Sequence, residues 1–181
     1  KDTKTKAYWQ EQIEWLTSRF PEGVYRDVVG LCKVAKIEGE EVVKHTGYTI
    51  SYNEEYELAN WSAYELTKEK VLGKEERGDD FREDKSVSTG SAKLSDYKGS
   101  GFDRGHLAPA ADFKWSAEAM SDTFFMSNMA PQNPSFNRGI LGGLETAVST
   151  MAYNNGSNYV ETGPVLTEGA YETIGTRKDD I

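Results

Sequence analysis

Apolar residues recur at Trp9, Ile13, Leu16 and Phe20, which predicts an amphipathic helix over residues 6–20, ended by Pro21-Glu22-Gly23. Residues 24–37 are rich in valine and predict an irregular stretch running into a strand. The β-branched and aromatic content of Val42 to Tyr52 predicts a strand, Asn53-Glu54-Glu55 a turn, and Asn60 to Thr67 a second strand antiparallel to the first. Residues 73–100 are polar and aperiodic, a long loop of the kind that often carries function. A short helix follows at Ala117 to Asp122 and a short strand at Thr123 to Ser127. Asn133-Pro134-Ser135 has helix-start chemistry, and Ile140, Leu141, Leu144, Ala147, Val148 and Met151 mark a helix face running to about Tyr153. Asn154-Asn155-Gly156-Ser157 is a turn, and Tyr159 to Gly163 reads as a strand. The last dozen residues are polar and show no closing element; no repeat, low-complexity tract or linker interrupts the chain.

A length of 181 residues suits one domain with a real core, and 37% hydrophobic residues are globular rather than disordered. No apolar run is long enough to span a bilayer. The charged opening Lys1-Asp2-Thr3-Lys4 shows no signal peptide, which fits either a cytosolic protein or a mature form without its leader. The single Cys32 excludes an internal disulfide, and with only two histidines it excludes the usual Cys/His zinc sites. Within the apolar run Val28 to Val34, Cys32 reads as an inert buried thiol. A net charge of -9, taken alone, argues against a nucleic-acid binder, which would usually show a basic face. Binding depends on local potential, however, and a bound cation can supply positive charge that side chains lack.

The densest chemistry lies in Gly101-Phe102-Asp103-Arg104-Gly105-His106. It places a carboxylate, a fixed cation and an imidazole within four residues. Histidine is the side chain best suited to move protons near neutral pH, and arginine offers a planar fork to phosphate. His106 is therefore the candidate acid–base group, whereas His45, inside an expected strand, reads as structural.

Asp103-Arg104-Gly105-His106-Leu107-Ala108-Pro109 resembles the signature of the DNA/RNA non-specific endonuclease family, ββα-metal nucleases of the endonuclease G type. Phe125 to Gln132 is similar to that family's strand after the signature. Phe136-Asn137-Arg138-Gly139, with Leu144-Glu145, is similar to its metal helix. Asn60 to Tyr64 and Asp80 to Asp84 fit as well, so the similarity runs from about His45 to Pro164. The resemblance implies an α+β fold, a central antiparallel sheet flanked by helices. It implies a helical and extended segment over 1–40 and a nuclease domain over 41–181, together one structural domain that lacks the family's C-terminal elements. The missing part would be a further segment or another chain.

The implied activity is a Mg²⁺-dependent endonuclease acting on DNA and RNA without sequence specificity and leaving 5′-phosphate ends, with Mn²⁺ or another divalent cation able to substitute. The implied general base is His106. Asn137 would be the direct protein ligand of a cation that keeps several waters. Glu145 follows Asn137 by eight positions, roughly 12 Å along a helix, so it would act through a cation-bound water. Arg104 would contact phosphate or support the loop, and Asp103 would fix local geometry. An upstream arginine is expected to stabilise the pentacovalent phosphate; Arg77 and Arg82 are both candidates, and Arg77 is favoured. Asn128 reads as an active-site scaffold residue or a structural turn residue, and Arg138 as a substrate contact or a solvated side chain. Ile140-Leu141 stands where the family often has a tryptophan. A homodimer, and a secreted or periplasmic location, complete the expectation. The competing reading is a catalytically silent nucleic-acid-binding or interaction module of the same fold.

Overall fold

A computed structural model describes residues 41–165 and 173–175, all within a unit spanning Lys36–Ile181. The helix expected over 6–20, the stretch over 24–37 and Cys32 lie outside the described residues. Three strands open the described chain: β1 (Glu41–Lys44), β2 (Thr49–Asn53) and β3 (Leu58–Thr67). The single strand expected from Val42 to Tyr52 is instead a hairpin, with Glu41 opposite Tyr52 and Lys44 opposite Thr49. The turn follows from Gly47, whose φ of +97° suits glycine and whose added Cβ would come within 2.8 Å of the Trp115 ring. The second strand starts two residues earlier than expected and pairs antiparallel with β2, with a register shift between Ser51 and Tyr52.

The sheet is completed by β6 (Ser157–Thr162), giving the order β1-β2-β3-β6 with every pair antiparallel. Ile50, Tyr52, Tyr64, Leu66 and Phe113 pack into its main core. The stretch after β3 holds the short helix α1 (Lys68–Val71) and then a mostly irregular loop. Within that loop lies α2 (Leu94–Tyr97), which sequence periodicity missed because one turn of helix is too short to show a period. It is closed by the Asp96 carboxylate, which accepts from Lys93 N at 2.6 Å.

The functional part is a second, two-stranded unit. Strand β4 (Asp103–His106) pairs antiparallel with β5 (Met129–Gln132), setting His106 opposite Met129 and Asp103 opposite Gln132. Between them lies α3 (Ala117–Asp122), with the expected bounds, its start capped by Ser116 Oγ accepting from Ala119 N. The strand expected at Thr123 to Ser127 is not one. There the chain leaves α3 in tight turns, held by Thr123 Oγ1 donating to Met120 O, and Arg82 bridges Phe125. The strand comes only after Asn128.

After β5 the Asn133 carboxamide accepts from Ser135 N and Ser135 Oγ, and a helical segment begins. Its first part, Phe136–Leu141, is wound as a π-helix; the rest is α4 (Gly142–Asn155). Widened turns of this kind are common at functional sites. The apolar face marked from sequence is largely exposed: Ile140 is 77% and Met151 53% accessible. Of the marked residues Val148 does pack on the core, beside Ala152, which was not marked, and between them Ser149 donates to Asp112 at 2.7 Å.

Candidate active site

His106 ends β4 with its ring against two phenylalanines. The Phe124 ring meets it edge-on at 5.1 Å and the Phe81 ring lies 5.8 Å away. Its Nε2 is buried and has no hydrogen-bond partner among the described residues. Burial, helped by the cations of Arg77 and Arg104, lowers the imidazole pKa to about 3, so the ring is neutral at physiological pH. A neutral imidazole with a free nitrogen can accept a proton. The preceding Gly105 is required by packing, because a Cβ there would meet Gln132 Cδ at 2.0 Å across the ribbon.

Asp103, at the other end of β4, joins the ribbon to the helix. Its Oδ2 accepts from Asn137 Nδ2 at 3.0 Å and from Arg138 Nε at 2.8 Å, and its Oδ1 accepts from Arg138 Nη2 at 2.6 Å. These hydrogen bonds, with the neighbouring cationic charge, hold the Asp103 carboxyl below its ordinary range. Arg138 is thus an ion-pair partner of Asp103, an arrangement absent from the sequence expectations.

The amide nitrogen of Asn137 is spent on Asp103, while its Oδ1 takes no hydrogen bond among the described residues. A neutral oxygen suits a hard divalent cation. No group of three or more His, Cys, Asp or Glu side chains among the described residues forms a metal cage. The Asn137 amide oxygen is therefore chemically suited to serve as one oxygen donor to such a cation.

His106 and Glu145 line the same cavity of about 260 Å³, together with Tyr64, Asp112 and Glu161. Glu145 is partly buried; burial, and then the charge of Asp112, raise its pKa, against a lowering by Arg77. Burial also raises Asp112, although Tyr64 OH and Ser149 Oγ each donate to it at 2.7 Å. Glu161 is raised by burial as well. Asp112 and Glu161 were not singled out from sequence. Asp112 lies 48 residues from Tyr64, and no local pattern announces that contact.

The two upstream arginines separate cleanly. Arg77 stands 5.1 Å from the Phe124 ring that packs on His106, and its charge acts on both His106 and Glu145. Arg82 is committed elsewhere, to Asp80 Oδ2 at 2.8 Å, Asp122 Oδ1 at 3.5 Å and Ser121 O at 2.8 Å. The Arg104 guanidinium lies 3.9 Å over the Phe81 ring, on the flank of His106.

Asn128 is fully buried. Its Oδ1 accepts from Ala108 N at 2.9 Å, and its Nδ2 donates to Ala108 O and Thr123 O at 3.0 and 2.9 Å. It braces the segment after His106. His45 sits in the hairpin turn, not in a strand, with Nε2 3.1 Å from Asp84 Oδ2 and its ring against Tyr48 and Phe125.

An antiparallel ribbon that delivers a histidine, followed by a helix that delivers an asparagine and a glutamate, defines a ββα-metal nuclease fold. The chain belongs to the DNA/RNA non-specific endonuclease family, whose model matches residues 32–180. It is 40% identical over 139 residues to human mitochondrial endonuclease G, covering 76% of this chain and 45% of that protein. It is 41% identical over 119 residues to a nuclease of Nostoc sp., covering 65% of this chain and 43% of the relative. A solved EndoG/EndoGI complex superposes with a TM-score of 0.72 at 30% identity, covering 84% of this chain and 67% of that one. The chain spans about half the length of the curated relatives it matches. The expectation of a secreted or periplasmic location is overturned by these relatives, several of which are named as mitochondrial proteins. No helix among the described residues is long and apolar enough to cross a membrane.

Proposed function

We propose that this chain is an endonuclease that hydrolyses phosphodiester bonds of DNA and RNA without sequence specificity, using Mg²⁺ or another divalent cation. The observation that carries the reading is the placement of His106 at the end of β4. Its buried Nε2 has no partner among the described residues, and the ring shares one cavity with Glu145.

In this reading His106 Nε2 takes a proton from a water as its oxygen attacks phosphorus, and the bond from phosphorus to the 3′ oxygen breaks. The leaving oxygen acquires a proton from solvent, giving 3′-hydroxyl and 5′-phosphate ends. Burial and the cations of Arg77 and Arg104 lower the imidazole, and a bound phosphate would oppose the field of those two cations. Asn137 Oδ1 would hold the cation, with Glu145 acting on its water ligands. When bound, the cation supplies neutralisation of charge building on the phosphoryl and leaving oxygens. Arg77 adds fixed positive charge beside the base. Phosphate contacts carry no base information, so such a site ignores sequence.

The test is digestion of plasmid and of an RNA transcript with Mg²⁺, with Mn²⁺ and with chelator. Cleavage by wild type that depends on the cation and is lost in His106→Ala supports the reading. Binding without cleavage under every cation would leave the chain a nucleic-acid-binding module.

A further inference from the structure

A second cavity, of about 380 Å³, lies where α2 meets the start of β4, and Asp103 and Arg104 form part of its wall. Two apolar side chains border it and remain open to solvent: Phe102 is 37% and Leu94 44% accessible. Its cations are Lys98 and Arg104. Lys98 is exposed, and neither Lys98 nor Arg104 forms an ion pair among the described residues; the Arg104 guanidinium lies over the Phe81 ring, and its charge acts on Tyr97 and Asp103. The one carboxylate of the wall, Asp103, is already neutralised by the two-pronged contact from Arg138. The groove is therefore locally cationic on a chain whose net charge is -9.

An open aromatic ring beside unpaired cations is what an unpaired nucleic-acid strand requires, a face for the base and positive charge for the backbone. A duplex does not suit it, because the faces of paired bases are already stacked on one another. The position is also informative. Arg104 and His106 are two residues apart on the same face of β4, roughly 7 Å along the strand. A nucleotide in the groove would lie next to the phosphate presented to His106.

We infer that the groove bounded by Leu94, Lys98, Phe102 and Arg104 is a subsite for one unpaired nucleotide flanking the scissile phosphate, its base on Phe102 and its phosphate at Lys98. This rests on the nuclease reading and adds a substrate class to it, strands whose bases are free to unstack.

The experiment measures binding of the His106→Ala protein, in chelator, to a single-stranded oligonucleotide and to its duplex by fluorescence anisotropy. Phe102→Ala is added on that background, with Phe102→Trp as the conservative variant. The expected result is a loss of single-strand affinity of roughly 5- to 150-fold in Phe102→Ala, a change under twofold for duplex, and recovery in Phe102→Trp. Lys98→Ala should lower the salt slope of single-strand binding by about one. In the active enzyme, Phe102→Ala should raise KM on single strands and leave kcat near wild type. Equal losses on both substrates, or no loss in Phe102→Ala, would overturn the subsite. Wild type that cleaves normally while Phe102→Ala matches it defeats the subsite alone. Wild type that cleaves nothing with any cation defeats the nuclease reading itself.

Discussion

The side-chain amide of Asn137 donates to Asp103 Oδ2 at 3.0 Å, tying the widened helical turn to the first residue of β4. This contact orients the amide. With its nitrogen held by Asp103, its oxygen is the atom that the proposed cation would take. Arg138, next in sequence, grips both oxygens of the same carboxylate and limits its rotation.

Removing Asp103 should therefore act on the cation rather than on the fold. Asp103→Ala frees the Asn137 amide to rotate, and outer partners of this kind are worth roughly 10–100-fold in metal affinity. The expected outcome is that loss in Mn²⁺ affinity by calorimetric titration, with only a small fall in melting temperature, because the Arg138 half of the ion pair is exposed. Arg138→Leu should give a smaller loss in the same direction. An unchanged Mn²⁺ affinity in Asp103→Ala would remove the orienting role.

His106 carries a pH signature that can be isolated. Its pKa falls from an ordinary 6.5 to about 3 in the fold, so the unfolded chain binds this proton more readily. The imidazole's contribution to stability is full above about pH 6.5 and declines as pH falls toward 3. Between those limits the slope is about 1.4 kcal/mol per pH unit. Subtracting the denaturation curves of His106→Gln from those of wild type should show that slope, since titrations of Glu145, Asp112 and Asp84 are common to both. In the same variant, nuclease activity should fall by roughly 10²–10⁴. A difference curve flat with pH would mean that the imidazole titrates normally in the folded protein.

What could be read in advance follows the range of the interactions. Asp103-Arg104-Gly105-His106 was legible because its chemistry is contiguous, and α3 because Ser116 and the helix it caps are neighbours. The hairpin at Gly47 was hidden by a β-rich run whose break depends on φ and on distant Trp115. The face of α4 was legible only in part: helical periodicity marks apolar positions but not which of them meet the core, and here Val148 packs inward while Ile140 and Met151 stay open. Asp112 with Tyr64, and Asp103 with Asn137 and Arg138, join residues 34 to 48 positions apart. Such pairs leave no mark in a single sequence.

The two upstream arginines predict opposite phenotypes. Arg77 borders His106 and Glu145 and forms no ion pair among the described residues. Arg77→Ala should reduce kcat by 10-fold or more, about 1.4 kcal/mol of barrier, and leave the melting temperature nearly unchanged. Arg82 ties the loop to α3 through Asp80, Ser121 and Asp122. Arg82→Ala should lower the melting temperature, while the protein that remains folded keeps its kcat. The reverse pairing of effects would assign the phosphate-facing role to Arg82.

Asn128 offers the sharpest separation of scaffold from chemistry. Its three side-chain hydrogen bonds satisfy Ala108 N, Ala108 O and Thr123 O in a fully buried setting. Truncation to alanine leaves all three without that partner, and each buried group left unsatisfied costs about 1–3 kcal/mol. Asn128→Ala should therefore be destabilised by at least about 3 kcal/mol, read as a fall in the urea midpoint. Asn128→Asp should be worse, because its carboxylate can accept from Ala108 N but cannot donate to either carbonyl, and it buries a charge. At low temperature, the folded fraction of Asn128→Ala should retain most of the wild-type kcat, since the amide faces the backbone around Ala108 and away from the cavity that His106 lines. A variant that stayed as stable as wild type and yet lost activity would place Asn128 among the groups that touch substrate.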